Sequence, residues 1–232
     1  MLILASNSPR RKQLLSLGGW DFMAIAPDVN EAVLPGEAPA DYVLRLAQQK
    51  AKAVRDSSSG LLPEAALILA ADTAVIDLDQ SQVDPHIEQT PKIVILGKPA
   101  GSAEAEAMLF QLRGRNHFVY TGLTVLRCGD GAIQSTLVVT EVPMRDYSDE
   151  EIRRYVSTGD PLDKAGAYAI QHPEFKPVQN LQGCYANVMG LPVCHAARLL
   201  GNFGSPPIRE ITRGCMETLD YPCEVYLQVQ QR

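Results

Sequence analysis

No stretch of this sequence approaches the roughly 18 consecutive apolar residues that a membrane-crossing helix needs. Met1 leads straight into LILAS, with no basic segment and no small-residue cleavage site. These two absences predict a cytoplasmic protein with no membrane partner. Positive charge is also in short supply. A formal net charge of −6 over 232 residues excludes broad binding to nucleic acid or to anionic membranes, although a local basic pocket remains open. Cys-x-x-Cys pairs are missing, and the cysteines at 128, 184, 194, 215 and 223 are odd in number, so no secreted disulfide framework is expected and the thiols should be reduced. Cys194, His195, Cys215 and Cys223 are too irregularly spaced to recommend a zinc site, and a Cys215–Cys223 disulfide has as little support. Repeats, low-complexity blocks and a clear interdomain linker are lacking too. A chain of this length then predicts one large α/β domain, or a two-lobed one, with a core that needs no staples.

What is present centres on residues 67–76, LILAADTAVI. Eight of these ten residues are apolar, as in a strand buried on both faces, yet Asp72 and Thr73 sit in the middle. An unpartnered carboxylate there costs several kcal/mol or has its pKa raised, so the fold must bring it a cation, a metal or solvent. The alternative is a structural aspartate that caps a nearby loop.

Other segments carry matching chemistry. A short strand, Leu2 to Ala5, leads into SNSPRR, where Ser8 is a good N-cap and Pro9 a good first residue for a helix that ends at Gly18 and Gly19. Arg10 and Arg11 then fall in the first turn, against the helix dipole. With Ser6 and Ser8 they form either a phosphate cradle or a solvated surface pair. After a strand at 22–26, the loop PDVNE delivers Glu31. A helix over about 40–55 carries the stripe Val43, Leu46, Ala47, Ala51 and Val54, and Lys50 lies inside that stripe. Lys50 either snorkels past the core edge or reaches an anion.

The polar stretch 77–89 reads as a surface excursion between two strands, since it lacks the spacing of a calcium loop. The chain returns through KIVILGKP, which presents Lys98, and then a helix at about 102–113 capped by Ser102. Two β-rich runs, 117–127 and 132–142, joined by Cys128–Gly131, predict a hairpin. Ser148 and Glu151 make a capping box for a helix closed by Gly159. Residues 165–171 are expected as a short strand ending in Gln171, CYANVMG as another strand, and PVCHAARLL as the last helix. Patterning is weaker beyond Gly201.

The segments ASNSPRR at 5–11, DVNE at 28–31, RLAQQKA at 45–51, ADTAV at 71–75, GKP at 97–99, DKAGAYAIQ at 163–171 and NVMGLP at 187–192 together resemble the Maf family of nucleotide pyrophosphatases. The likeness covers residues 2–200, so a domain at 1–201 is expected, followed by a tail at 202–232 with no counterpart. The resemblance implies an elongated, two-lobed α/β fold with a long central mixed sheet, similar to the inosine triphosphate pyrophosphatases, and a cleft between the lobes. It implies hydrolysis of a nucleoside triphosphate to its monophosphate and pyrophosphate with a divalent cation, Mg²⁺ or Mn²⁺, as a house-cleaning activity, and a homodimer.

In relatives of the dTTP/UTP type the motifs read SPRR, ADT and AYxIQ; relatives acting on methylated guanosine triphosphate carry SPWR and SDQ. Arg10, Thr73 and Gln171 stand at the three discriminating positions and point to dTTP, UTP and modified pyrimidine nucleotides. An amide such as Gln171 can both donate to and accept from a uracil or thymine edge. The resemblance further implies phosphate binding by Arg11, Lys50, Lys98 and the loop at Ser6, metal ligation by Glu31 and Asp72, and catalysis by Asp72 as base with Lys98. Asp163 and Lys164 either orient the cleft or form a structural ion pair. His172 replaces a glycine common among relatives and is expected on the rim. Two other readings stand beside this one: a nucleotide-responsive binding protein acting in cell division, and a pyrophosphatase for purine or methylated nucleotides.

Overall fold

The computed structural model describes residues 1–79, 92–223 and 225–230. The apolar run around Asp72 extends into a long strand, β3 (Leu67–Asp79), which follows β1 (Leu2–Leu4), α1 (Pro9–Ser16), β2 (Phe22–Ala24) and α2 (Pro39–Ser57). After it come β4 (Lys92–Leu96), α3 (Ser102–Leu112), β5 (Asn116–Arg127), β6 (Ile133–Pro143) and α4 (Asp149–Ser157), and then α5 (Tyr185–Val188), α6 (Val193–Asn202), α7 (Ile211–Leu219) and α8 (Val225–Gln230). The strands form one six-stranded sheet in the order β2-β1-β3-β5-β6, with β4 also paired to β3. β1 is parallel to both β2 and β3, with Leu2 opposite Phe22 and Leu67, whereas β4 runs antiparallel to β3 with Leu96 opposite Val75. The fold is therefore mixed α/β.

The chain divides into two compact units. The first holds Met1–Thr73, Tyr120–Val139 and Gly183–Arg232, the second Ala74–Val119 and Thr140–Gln182. In the first unit, Ile3 and Ala5, Ala51 and Val54 of α2, Ile68 and Ala70 of β3, and Leu126 of β5 form one core cluster. Each Ile, Leu or Val so buried contributes about 1.5–3 kcal/mol. The α2 stripe is buried as its spacing predicts, from Val43 to Val54, and Lys50 is buried with it. A Cβ on Gly122 would strike the Val43 carbonyl, so β5 and α2 meet backbone against backbone. α1 starts as expected: Ser8 Oγ accepts from Arg11 N at 3.4 Å, and Leu14 and Leu15 are buried.

In the second unit, Ala105, Met108, Leu109 and Leu112 of α3 are buried, as are Ile152, Tyr155 and Val156 of α4. Tyr147 donates to the Leu109 carbonyl at 2.8 Å, and Tyr155 stacks on Phe175 with ring centroids 4.3 Å apart. The capping box of α4 is present, with Ser148 and Glu151 serving each other's backbone N–H.

Several expectations are corrected. Residues 165–171 do not form a strand: Lys164 pairs with Asp163 at 2.6 Å and with Asp160 at 3.0 Å, and two short 3₁₀ turns follow one another. Gly166 (φ +68°) and Ala167 (φ +59°) adopt left-handed backbone, which no strand ladder accommodates. CYANVMG is not a strand either; Tyr185–Val188 is the single helical turn α5, and Gly190 leaves it at φ +99°. α3 begins with Ser102 as its first residue, Gly101 being the N-cap, and Glu104 accepts from Ala100 N at 2.6 Å in place of a serine cap. The expected polar excursion starts too early, because β3 continues through Asp77, a fully buried residue; the rest of that excursion, 80–91, lies outside the described residues. α6 is not the last helix. In α7, Ile211, Thr212 and Cys215 are buried, and the Glu210 side chain caps the helix by accepting from Arg213 N at 3.3 Å. All five cysteines are free.

Candidate functional site

The buried aspartate of β3 does receive its cation. Lys50 Nζ lies 2.6 Å from Asp72 Oδ1 and 2.5 Å from Glu31 Oε1, so one ammonium joins two carboxylates. The periodicity of α2 brings Lys50 to this point. Its side chain is 9% exposed and that of Asp72 8%, whereas Glu31, on its loop, is 49% exposed. Burial pushes the Asp72 carboxyl above the ordinary carboxylate range; Lys50 and Arg11 oppose the shift and Glu31 adds to it. Two acids share one lysine, and Arg11 supplies the second positive charge felt by Asp72.

Beside it stands Arg11. Its Nε donates to the Gly190 carbonyl at 2.9 Å and its Nη2 to Thr73 Oγ1 at 3.2 Å. Thr73 Oγ1 is in turn 3.0 Å from Thr121 Oγ1. Burial lowers the pKa of the Arg11 guanidinium from its ordinary value, and Asp72 and Glu31 counter that effect. Ser6 is buried and its Oγ accepts from Ser8 N at 3.1 Å, an arrangement in which the hydroxyl keeps its own hydrogen for donation. Arg10 is half-buried in the first turn of α1.

The first unit thus gathers Glu31 and Asp72 on Lys50, with Arg11 on Thr73. Lys98 and Gln171 belong to the second unit, and both are exposed. Lys98 follows β4 next to Gly97, whose carbonyl accepts from Gly166 N at 3.1 Å. Gln171 sits in a turn held on one side by Ala169 N, which donates to Tyr155 Oη at 3.0 Å. On the other side His172 Nδ1 accepts from Phe175 N at 2.9 Å, and the ring stands edge-on to Tyr155 at 4.7 Å. His172 therefore does more than occupy a rim: it closes its own turn.

Sequence reasoning missed four residues here. Tyr42 donates to the Glu31 carbonyl at 3.0 Å and so holds the loop carrying that acid. Burial, with Asp72 and Glu31 adding to it, pushes its phenol up to about 12, so it stays protonated and a donor. Its signal was helical spacing, two turns before Lys50. Thr121 interrupts the apolar run of β5 much as Asp72 interrupts β3. Asn187 and Gly190 supply backbone carbonyls, which residue identity does not advertise.

Among the described residues no group of three or more His, Cys, Asp or Glu is placed to hold a metal ion. Two carboxylates on one centre do suit Mg²⁺, which binds through one or two protein carboxylates and completes its shell with substrate phosphates and water. No helix among the described residues is long and apolar enough to cross a membrane.

The family model described as Maf-like protein matches residues 1–203. The chain belongs to the Maf-like protein family. Among its Maf-like relatives, a dTTP/UTP pyrophosphatase of Geotalea uraniireducens (strain Rf4) is 42% identical over 204 residues, covering 88% of this chain and 95% of that protein. The dTTP/UTP pyrophosphatase of Anaeromyxobacter dehalogenans (strain 2CP-C) is 42% identical over 207 residues, 88% of this chain and 95% of its own. That of Dehalococcoides mccartyi (strain CBDB1) is 40% identical over 207 residues, 89% and 84% of the two chains. The Maf-like match ends at 203, so α7 and α8 lie beyond it.

Proposed function

We propose that this chain is a dTTP/UTP pyrophosphatase that hydrolyses these nucleotides to the monophosphate and pyrophosphate in nucleotide-pool house-cleaning. The observation that carries the proposal is the pair of acids, Glu31 and Asp72, on the single ammonium of Lys50, in a Maf-like chain whose relatives bear that name. Glu31 and Asp72 would hold the divalent cation. Once bound, such an ion acidifies water and offsets phosphate charge. Asp72 takes the proton of the attacking water. Its buried position makes it a stronger base than an ordinary carboxylate, while Lys50 and Arg11 oppose its protonation at rest. Lys50 also keeps two like charges together before substrate arrives.

Arg11, Arg10 and the Ser6 hydroxyl offer donors to phosphate oxygens at the start of α1, where the helix's own N–H groups add to them. The roles of Lys98 toward phosphate and of Gln171 toward the base rest on the resemblance, as do the homodimer and the cytoplasmic location. Exposure of both side chains agrees with ligand contact.

The test is pyrophosphate release across UTP, dTTP, purine and methylated nucleoside triphosphates with Mg²⁺ or Mn²⁺, and again with a chelator. UTP and dTTP should lead, and chelation should silence them. A purine or methylated nucleotide in the lead would overturn the pyrimidine assignment. Tight UTP binding with no product would favour the nucleotide-responsive binding protein.

A further inference from the structure

The hydrogen bonds around Arg11 have one consistent direction. Arginine donates and never accepts, so the 3.2 Å contact from Arg11 Nη2 makes Thr73 Oγ1 an acceptor. The hydroxyl hydrogen of Thr73 then goes to Thr121 Oγ1 at 3.0 Å, a closer acceptor than the Gly190 carbonyl at 3.5 Å. Thr121, having accepted, sends its own hydrogen to the Asn187 carbonyl at 3.4 Å. Thr121 and Asn187 are fully buried, so this chain of hydroxyls ends in the protein interior.

A second anchor holds the same guanidinium. Arg11 Nε reaches the Gly190 carbonyl, and a Cβ on Gly190 would lie 3.3 Å from Thr73 Oγ1 and 3.4 Å from Arg11 Nε. With φ at +99°, that position takes a side chain only under strain. Nε and Nη2 are thus committed to the protein and the guanidinium plane is fixed. Nη1 is the nitrogen that neither anchor uses.

We propose that Thr73 and Thr121 are positioning residues for Arg11, and that Thr73 affects the substrate through this arginine instead of by touching the pyrimidine. The proposal rests on the triphosphate reading in taking phosphate as the group Arg11 meets. It separates two roles that the resemblance merges: Thr73 governs affinity for the triphosphate, while discrimination between bases lies with other residues. A threonine that read the base would, when lost, change the ratio of activities between nucleotides. One that aims an arginine raises KM for every triphosphate alike.

Thr73→Val, Thr73→Ser and Thr121→Val test this, each checked for folding by thermal melt, with Thr73→Ala held in reserve should the valine fail to fold. Thr73→Val should raise KM for UTP and dTTP by about tenfold or more, the loss of one hydrogen bond to a charged group, with kcat near wild type and the order of nucleotide preference unchanged. Thr73→Ser should restore KM, and Thr121→Val should move it the same way by less. Nitrogen-15 NMR of arginine side chains, with the Arg11 signal assigned by Arg11→Lys, gives a readout that needs no turnover. Guanidinium rotation should be slow in wild type and Thr73→Ser, and faster in Thr73→Val and Thr121→Val. A changed nucleotide preference with unchanged Arg11 rotation, or Thr121→Val indistinguishable from wild type in both readouts, would overturn the proposal. If wild type releases no pyrophosphate from any triphosphate, the functional reading fails, and the rotation measurement still decides whether the threonines hold Arg11.

Discussion

Asp72 and Asp77 occupy the same strand, both buried in an apolar run, and their surroundings differ in kind. Asp77, in the second unit, accepts from Arg115 Nη2 at 3.2 Å on one oxygen and from Gln111 Nε2 at 2.7 Å on the other, and Arg115 also reaches the Leu78 carbonyl at 2.6 Å. Each oxygen has its own donor, from a different side chain. Asp72, in the first unit, shares its lysine with Glu31, and its carboxyl is pushed up by burial. One acid has a donor on each oxygen, and the other shares its lysine with a second acid. Burial of a carboxylate alone does not distinguish the two; a second carboxylate on the same lysine does.

Removing the satisfied acid should have the largest effect on stability. Asp77→Ala takes the carboxylate from Arg115 and Gln111 and should cost about 1.5–3 kcal/mol, a drop in Tm on the order of 5 °C by calorimetry. Turnover below the new Tm should be retained. Lys50→Ala should sharpen the contrast from the other side. With two carboxylates left facing each other, KM for UTP should rise about tenfold and the acid limb of kcat/KM should move to higher pH. A fall in Tm with unchanged KM would return Lys50 to a packing role.

The smallest effects are in pH dependence, where the two units carry opposite signs. Asp72 has a raised carboxyl in the folded state, so the stability it contributes is present below its unfolded value of 3.8 and is lost as pH rises through the folded pKa. Glu151, held at about 2 by the Arg145 hydrogen bond and by Ser148 N, contributes stability above its unfolded value of 4.5 that is lost as pH falls toward 2. Denaturant melts of Asp72→Asn and Glu151→Gln across pH 2–7 should each flatten one of these slopes. The same slope in both variants would contradict the assignment.

Local signals were the legible ones. The Ser8 cap, Pro9, the α2 stripe with Lys50 inside it and the Ser148–Glu151 box all rest on contacts between residues a few positions apart. What escaped depends on partners remote in sequence or on backbone geometry that side-chain identity does not encode. Ala167 takes a left-handed conformation that propensity argues against, and it breaks the strand expected at 165–171. Asp77 looked like surface polarity because Arg115 and Gln111 come from elements some 35 residues on. The ion pair itself was legible as chemistry: Asp72 out of place in its strand, Lys50 out of place in its stripe. Their contact at 2.6 Å needed the fold, and so did the chain of hydroxyls behind Arg11.

The most direct test compares pyrophosphate release from UTP by Asp72→Asn and Asp77→Asn at a temperature where both are folded. The two substitutions remove the same charge from the same strand. Asp72→Asn should turn over at about one hundredth of the rate of Asp77→Asn or less. Equal rates would contradict the account, because Asp72 would then be no more than a second structural acid.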